Sequence, residues 1–358
     1  MRQTSLSTRV SARPVLQQLL ALLLALVAGA CGGGDDRGLI ELSVGIDNRS
    51  ITKIPYFIAW DEGLFEKHGL QVEFVLPALE GEDDVEVLDH FGWPRRLARR
   101  LGLERREVGV FTQGGTPMML TAIEEAPAPH RVAIGATDCA VRSHLIGRRD
   151  LRISALDELK SMRIGASARV STMGFAAFLF AERMGWDIER DIELVVIRDG
   201  SLRDLDDGKA DAMFLSEVHW AEAVEQGYPI LLDTGEWNEP LAGNSVVVSP
   251  EWLEDPEHRE AAKRLLMALA EATALFHRDR ARAVDVLARW SGLDRSRADR
   301  VYERGKWLPV VPAPCVEGFR RTLALHDSPA VRQHQAEEFY DDSIVREIEA
   351  SGFFETLR

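Results

Sequence analysis

The sequence predicts an α/β protein whose chain passes through two sets of alternating strands and helices and then turns mainly helical. Three observations carry this. A strand, helix, strand unit opens at Ile40; a second alternating set begins near residue 151; and from Asp255 onward apolar residues recur at helical spacing. Two such sets in tandem followed by a helical return fit either two independent domains or two lobes, the second inserted into the first.

In order, Ile40 to Ile46 reads as a strand and Pro55 to Lys67 as a helix, with Ile58, Leu64 and Phe65 on one face. Gly69 ends it and "LQVEFVL" alternates as a second strand, the pattern of a parallel pair. Residues 80 to 107 are charged and irregular, and the arginine-rich "WPRRLARRLGLERRE" reads as a solvated surface helix. "VGVFTQGGTPMML" is a strand broken at Gly114, with a helix expected from Pro117, and "HRVAIGATD" is a further strand. In the second set, Met162 to Ala166 is a strand, "STMGFAAFLFAERMGW" a helix packing Phe175, Leu179 and Met184, "IELVVI" a strand, "SLRDLDDGKA" a short helix and "DAMFLS" a strand. Asp255-Pro256 is an N-cap and first-turn proline, after which Leu265, Leu269, Ala272 and Phe276 share a face. Arg282 to Trp290, Cys315 to Leu325 and Glu337 to Ala350 continue the helical pattern.

The first 30 residues read as a signal peptide: Arg2, Arg9 and Arg13 precede an apolar run from Val15 to Ala30 that is shorter than the ~20 residues a membrane-crossing helix needs. Ala28-Gly29-Ala30 then leads directly to Cys31. This junction resembles the lipobox of bacterial lipoproteins, with Ala28 standing where leucine is usual. Cys31 is then the lipidation site that holds the chain to a membrane, and residues 31–38, with Gly32-Gly33-Gly34-Asp35-Asp36, are its tether. The plainer alternative is a secretory signal whose cut falls beside the cysteine.

About 320 residues remain, more than one hydrophobic core usually serves. With 58 acidic against 43 basic side chains the net charge is −15, which argues against non-specific nucleic-acid binding. Besides Cys31 there are only Cys139 and Cys315, too few for a disulfide framework or a cysteine-rich zinc site; one bridge and two buried thiols are both compatible with them.

Five segments resemble, in order, a known family: the solute-binding proteins of ABC importers, in the branch that includes alkanesulfonate, taurine, nitrate and thiamine-pyrimidine binders. "PYFIAWDEGLFEKHGLQV" matches the family's opening pattern at Pro55, Ala59, Gly63, Phe65, Gly69, Leu70 and Val72. "LDELKSMRIGAS" resembles its crossing segment, with Ser161 where the pattern has glycine. "LDDGKADAMFLSE", "VVVSPEWLEDPE" and "DDSIVRE" follow. The resemblance implies a type 2 periplasmic-binding-protein fold: two α/β lobes, residues 39–149 plus 240–358 and residues 150–239, joined by two hinge crossings with a ligand cleft between them. It further implies a small-molecule solute, an ABC permease with its ATPase subunits as partners, an extracytoplasmic location, a monomer and no cofactor.

In such a cleft, strand ends and first helical turns point inward. The candidate ligand residues are therefore Asn48, Arg49 and Ser50 after the first strand; Gly114, Gly115 and Thr116; Arg169, Ser171 and Thr172; and Ser216 and Glu217. Trp237 and Asn244 near the return crossing are possible lid residues. Of Tyr56, Phe57 and Trp60, which cannot all face the cleft, Tyr56 is taken as ligand-facing and Trp60 as packing. Arg49 and Arg169 suit a sulfonate, carboxylate or phosphate, whereas Glu217 suits a cationic or donor-rich ligand, so the two hints conflict.

No H-E-x-x-H, G-x-S-x-G, Walker A or Rossmann fingerprint is present, and the nine histidines lack metal-ligand spacing. The expectation is a binding protein, not an enzyme. The alternatives are a same-fold enzyme, of the pyrimidine synthase or dehydratase type, and a ligand-sensing module for a membrane partner.

Overall fold

The alternating runs Ile40–Gly45 and Leu70–Pro77 form two parallel strands, β1 and β2, in which Leu42 lies beside Val72 and Val44 beside Phe74. Between them the chain makes two helices instead of the single one expected, α1 (Ile54–Asp61) and α2 (Leu64–Lys67). Gly63, with φ of 63°, takes the left-handed conformation that separates them, while Ile58, Leu64 and Phe65 are still all buried. The computed structural model describes residues 38–46, 48–77, 85–88, 108–114, 131–167, 171–197, 200–326 and 329–358, and all of these except 38 and 39 belong to one unit, Ile40–Arg358. The helices expected in the arginine-rich run and after Pro117 lie outside the described residues.

The further strands are β3 (Val85–Leu88), β4 (Val110–Gly114), β5 (Val132–Ala140), β6 (His144–Gly147), β7 (Arg163–Ala166), β8 (Glu193–Val196), β9 (Ala212–Leu215), β10 (Ile230–Asp233) and β11 (Pro240–Val248). The further helices are α3 (Thr172–Met184), α4 (Leu202–Asp206), α5 (Glu217–Gln226), α6 (Pro250–Leu253), α7 (Pro256–Arg278), α8 (Arg280–Ser291), α9 (Arg295–Arg304), α10 (Val316–Leu325) and α11 (Ser343–Ala350). They organise two sheets, one of order β3-β2-β1-β4-β11-β5 and one of order β10-β6-β9-β7-β8. Each is mixed: β1 is parallel to β2 and β4, and β7 to β8 and β9, while β11, β3, β6 and β10 run antiparallel to their neighbours.

Each sheet carries an apolar cluster on both faces. On one face of the first sheet, Phe57 of α1 and Leu265, Leu269 and Phe276 of α7 join Phe74 of β2 in the largest core cluster. Each such side chain contributes roughly 1.5–3 kcal/mol on leaving water. Ala133, Val247, Phe319 and Phe339 cover the other face. On the second sheet, Phe175 and Phe180 of α3 pack on Leu145 and Phe214, and Leu202, Met213 and Tyr228 fill the opposite side. α3 starts because Ser171 accepts a hydrogen bond from the Gly174 amide, and it stops at left-handed Gly185. The closing helix begins at Ser343 and not at Glu337, because Phe339 and Asp341 pair their backbones with Ala133 at the edge of the first sheet.

The chain leaves the first sheet after β5, enters the second through β6, and returns through β11. The two crossings run side by side. The Val141 amide donates to the Glu239 carbonyl (2.9 Å), and Ser143 and Thr234, both buried, exchange backbone and side-chain hydrogen bonds. A disulfide between Cys139 on β5 and Cys315, just before α10, ties the outgoing crossing to the helical return.

Candidate functional site

Several buried polar residues gather around β5, β11 and the segment that leads from β5 into β6. Lys53 closes a single 3-10 turn (Ile51–Lys53) after β1 and is fully buried; its Nζ donates to Asn244 Oδ1. Asn244 is held by the ladder beside Gly114 on β4 and Asp138 on β5, so three residues from separate strands form one row across the first sheet, with Lys53 against it. Gly243 permits this crowding: a Cβ there would stand 2.8 Å from the Asp138 carbonyl oxygen. The neighbouring Ser245 Oγ is buried with no hydrogen-bond partner among the described residues.

Asp138 is 3% exposed, and burial pushes its carboxyl up to about 7 against the pull of Arg142, whose Nε lies 3.6 Å from Asp138 Oδ1. Arg142 in turn lies 4.3 Å over the Trp307 ring. From the other lobe comes Glu217, the first residue of α5, which is 5% exposed. Burial pushes its carboxyl up to about 7 as well. Asp138 adds to the rise, while its own backbone N–H, Arg304 and Arg142 oppose it. Arg304, at the end of α9, is ion-paired with Asp233 of β10 and lies 5.2 Å from the centre of the Trp220 ring. His144 of β6 stacks on the other aromatic neighbour of this group, Trp220, at 5.3 Å. Burial and the nearby Arg304 guanidinium push its imidazole down to about 3, so it is neutral; its Nδ1 has no hydrogen-bond partner among the described residues, with Asp233 Oδ1 3.9 Å away.

Arg142, His144, Glu217, Asp233, Arg304 and Trp307 line a cavity of about 250 Å³ between the lobes. A hollow of about 390 Å³ lies elsewhere, on the outer side of the first lobe, but its charged walls neutralise one another, as in the Arg282–Glu62 pair at 2.6 Å.

The residues expected at the site are distributed as follows. Gly114 and Asn244 adjoin Lys53, and Glu217 adjoins Asp138 electrostatically. Ser216 precedes Glu217, its hydroxyl 3.0 Å from His219 Nδ1. Ser171 caps α3 and receives a hydrogen bond from Ser167 (2.9 Å), and Thr172 is the first residue of that helix. Asn48 Oδ1 accepts from the Ser50 amide, and the Ser50 hydroxyl meets that of Thr52. Arg49 is turned to α8, where it donates to the Trp290 carbonyl at 3.2 Å. Tyr56 is enclosed in the core of the first lobe at 1% exposure, because α1 packs that side against α7. Trp237 packs on the second-lobe core, with Arg183 over its ring. Gly115, Thr116, Arg169 and Cys31 lie outside the described residues. Lys53, Asp138, Arg142, His144, Asp233, Arg304 and Trp307 are site residues the sequence reading did not single out. A lysine within "ITKIP" and an aspartate within "VAIGATDCA", charges set in apolar runs, were the available signals for two of them.

No protein-family model matches the chain, and no curated protein sequence matches it. Solved structures do. The periplasmic nitrate-binding protein NrtA from Synechocystis PCC 6803 is 13% identical, with a TM-score of 0.64 over 87% of this chain and 89% of that one. The periplasmic aliphatic sulphonate binding protein SsuA from Escherichia coli is 16% identical, with a TM-score of 0.58 over 80% and 85%. A Candida albicans gene product described as having the generic periplasmic binding protein fold is 18% identical, with a TM-score of 0.60 over 85% and 97%. The chain therefore has the two-lobed α/β fold of the periplasmic binding proteins.

Proposed function

We propose that this chain is an extracytoplasmic solute-binding lipoprotein that captures a small polar organic solute between its lobes and delivers it to an ABC permease. One observation carries the reading: a cavity walled by both lobes, in which buried polar groups are only partly satisfied by the protein. An incompletely paired buried polar group costs free energy that a bound solute recovers, and a solute touching both walls favours closure over opening. The names of the structural neighbours, which bind sulphonate and nitrate, support the transport reading. The Cys139–Cys315 bridge supports an oxidising compartment. In this reading Cys31 carries the lipid after removal of residues 1–30, and no described helix is long and apolar enough to cross a membrane.

Thermal unfolding in the presence of sulfonates, nitrate, pyrimidines, amines and carboxylates tests it. A true solute at a hundredfold its dissociation constant adds about 2.7 kcal/mol, a shift of a few degrees for a chain of this size. Failure of every compound to shift the transition counts against solute capture. Cys31→Ser should move the protein from the membrane fraction to the soluble one; unchanged partitioning would sink the anchor.

A further inference from the structure

The charge of the solute can be read from which groups in the cavity are already engaged. Both arginines already face a carboxylate. Arg304 is ion-paired with Asp233 beside Trp220, and Arg142 lies 3.6 Å from Asp138 and over Trp307, its Nε buried without a hydrogen-bond partner among the described residues. An entering anion would have to pull a guanidinium from a built-in carboxylate partner. The acceptors are less engaged. The Glu217 carboxyl receives its own backbone N–H and no side chain among the described residues, and His144 Nδ1 is buried without a donor among them. Two more carboxylates, Glu236 and Glu303, stand in the cavity wall; Glu303 is paired with Lys306 and Arg280, and Asp233 with Arg304, which leaves Glu217 and Glu236 as the lining acids without a basic side-chain partner among the described residues. The field inside therefore favours a positive guest.

We propose that the cavity binds a small organic cation, an amine or amidinium, whose N–H groups donate to the Glu217 carboxylate and to His144 Nδ1. This rests on the interlobe-solute reading and gives that site a substrate class. Neutral imidazole presents one nitrogen as an acceptor, so the pair Glu217 and His144 offers two buried acceptors to one donor-rich group. The groups facing Glu217 are Asp138 and Arg142 from the outgoing crossing, His144 from β6, Asp233 from β10 and Arg304 from α9. Among them Asp138 and Glu217 both titrate near neutrality, each held up by burial, and they interact, so they act as a coupled pair. Without a guest, protons limit the repulsion between them; a bound cation replaces a proton. Affinity for a fixed cation then falls as pH drops below about 7, by up to about tenfold per pH unit for one proton displaced.

Calorimetric titration of the full chain in detergent at pH 8 and pH 6 tests this, with benzamidinium and 1,4-diaminobutane as cations and methanesulfonate and nitrate as anions. Expected is saturable binding of a cation, at least tenfold weaker at pH 6 and lost in Glu217→Gln. His144→Phe, which keeps the ring stack on Trp220 but removes the nitrogen, provides a second variant with the same expected loss should the first fail to fold. Binding of an anion and no cation would overturn the charge class while leaving solute capture standing. Silence of all four compounds overturns the cation site, and capture itself then rests on the wider thermal panel. A cation that binds wild type and both variants alike would overturn the assignment to these residues.

Discussion

Gly318 lies directly against the backbone of Leu241: a Cβ built on it would stand 2.2 Å from the Leu241 carbonyl carbon. This contact seats α10 on the first residues of β11, the strand by which the chain returns from the second lobe, one turn beyond the Cys139–Cys315 bridge. Helix propensity alone makes Gly318→Ala stabilising by up to about 1 kcal/mol. Steric overlap with backbone reverses the sign, since the strand has no flexible side-chain end to move aside, and overpacking of this kind costs about 1–3 kcal/mol. Urea unfolding should therefore show a lower midpoint for Gly318→Ala, and a raised midpoint would show that the helix is free to shift.

Lys53 and Asn244 form the second contact whose removal has a determinate outcome. Lys53→Met leaves the Asn244 side-chain Oδ1 without its buried donor, a loss of about 1–3 kcal/mol. Replacing both partners, as Lys53→Met with Asn244→Leu, removes the orphan along with the donor, so the double variant should be more stable than the sum of the single losses predicts. Strict additivity in a double-mutant cycle would mean that the two side chains do not depend on each other.

Glu217 fixes the direction of a pH effect. Its native carboxyl titrates near 7 and its unfolded one near 4.5, so between those values the native state holds a proton that the unfolded state lacks. The associated stability is fully present below about 4.5 and is lost as pH rises through 7. His144 acts in the opposite sense. Pushed down to about 3 in the native state against 6.5 when unfolded, it costs stability as pH falls below 6.5. Groups common to wild type and variant cancel in a comparison, except Asp138, whose coupling to Glu217 is lost in the variant and acts in the same direction. As pH rises from about 5 to 6.5, wild type should thus lose roughly 1.4 kcal/mol more per pH unit than Glu217→Gln. Parallel stability curves for the two proteins would place the Glu217 carboxyl in an ordinary, ionised state.

How much of this was legible beforehand differs between the scaffold and the site. The long helix α7 was readable because four apolar side chains repeat at 3.6-residue spacing. Strands β6 and β10 were not, since four residues are too few to show a period and "SHLIG" carries no alternation. For the site, Glu217 was visible as a polar residue after a buried strand, yet its burial comes from α9 and the crossing segment, which are remote in sequence. Arg304 looked like any arginine in the last turn of a surface helix; only the packing of α9 on α5 turns it inward. Arg49 shows the reverse case, an attractive cleft arginine drawn away by the Trp290 carbonyl and ring.

Ser161 joins the two kinds of information. It stands in "LKSMRIGA" where the resembling pattern has glycine, and its φ is 67°, the left-handed region that glycine enters without a Cβ penalty. The conformation is imposed from both sides: the Ser161 amide donates to the Asp191 carbonyl at 2.7 Å, and the next residue's amide closes a turn on Leu159 before β7 begins. A side chain held there costs about 1–2 kcal/mol. Part of that is returned because serine restricts the unfolded chain more than glycine does. Ser161→Gly should thus stabilise the protein by about 0.5–1 kcal/mol, raising the midpoint of thermal unfolding by a degree or two for a domain of this size. Ser161→Val, whose branched Cβ suits this region still less, should lower it. If both substitutions leave the midpoint unchanged, the backbone at this turn relaxes out of the left-handed region, and the match to the pattern at this position has no energetic content.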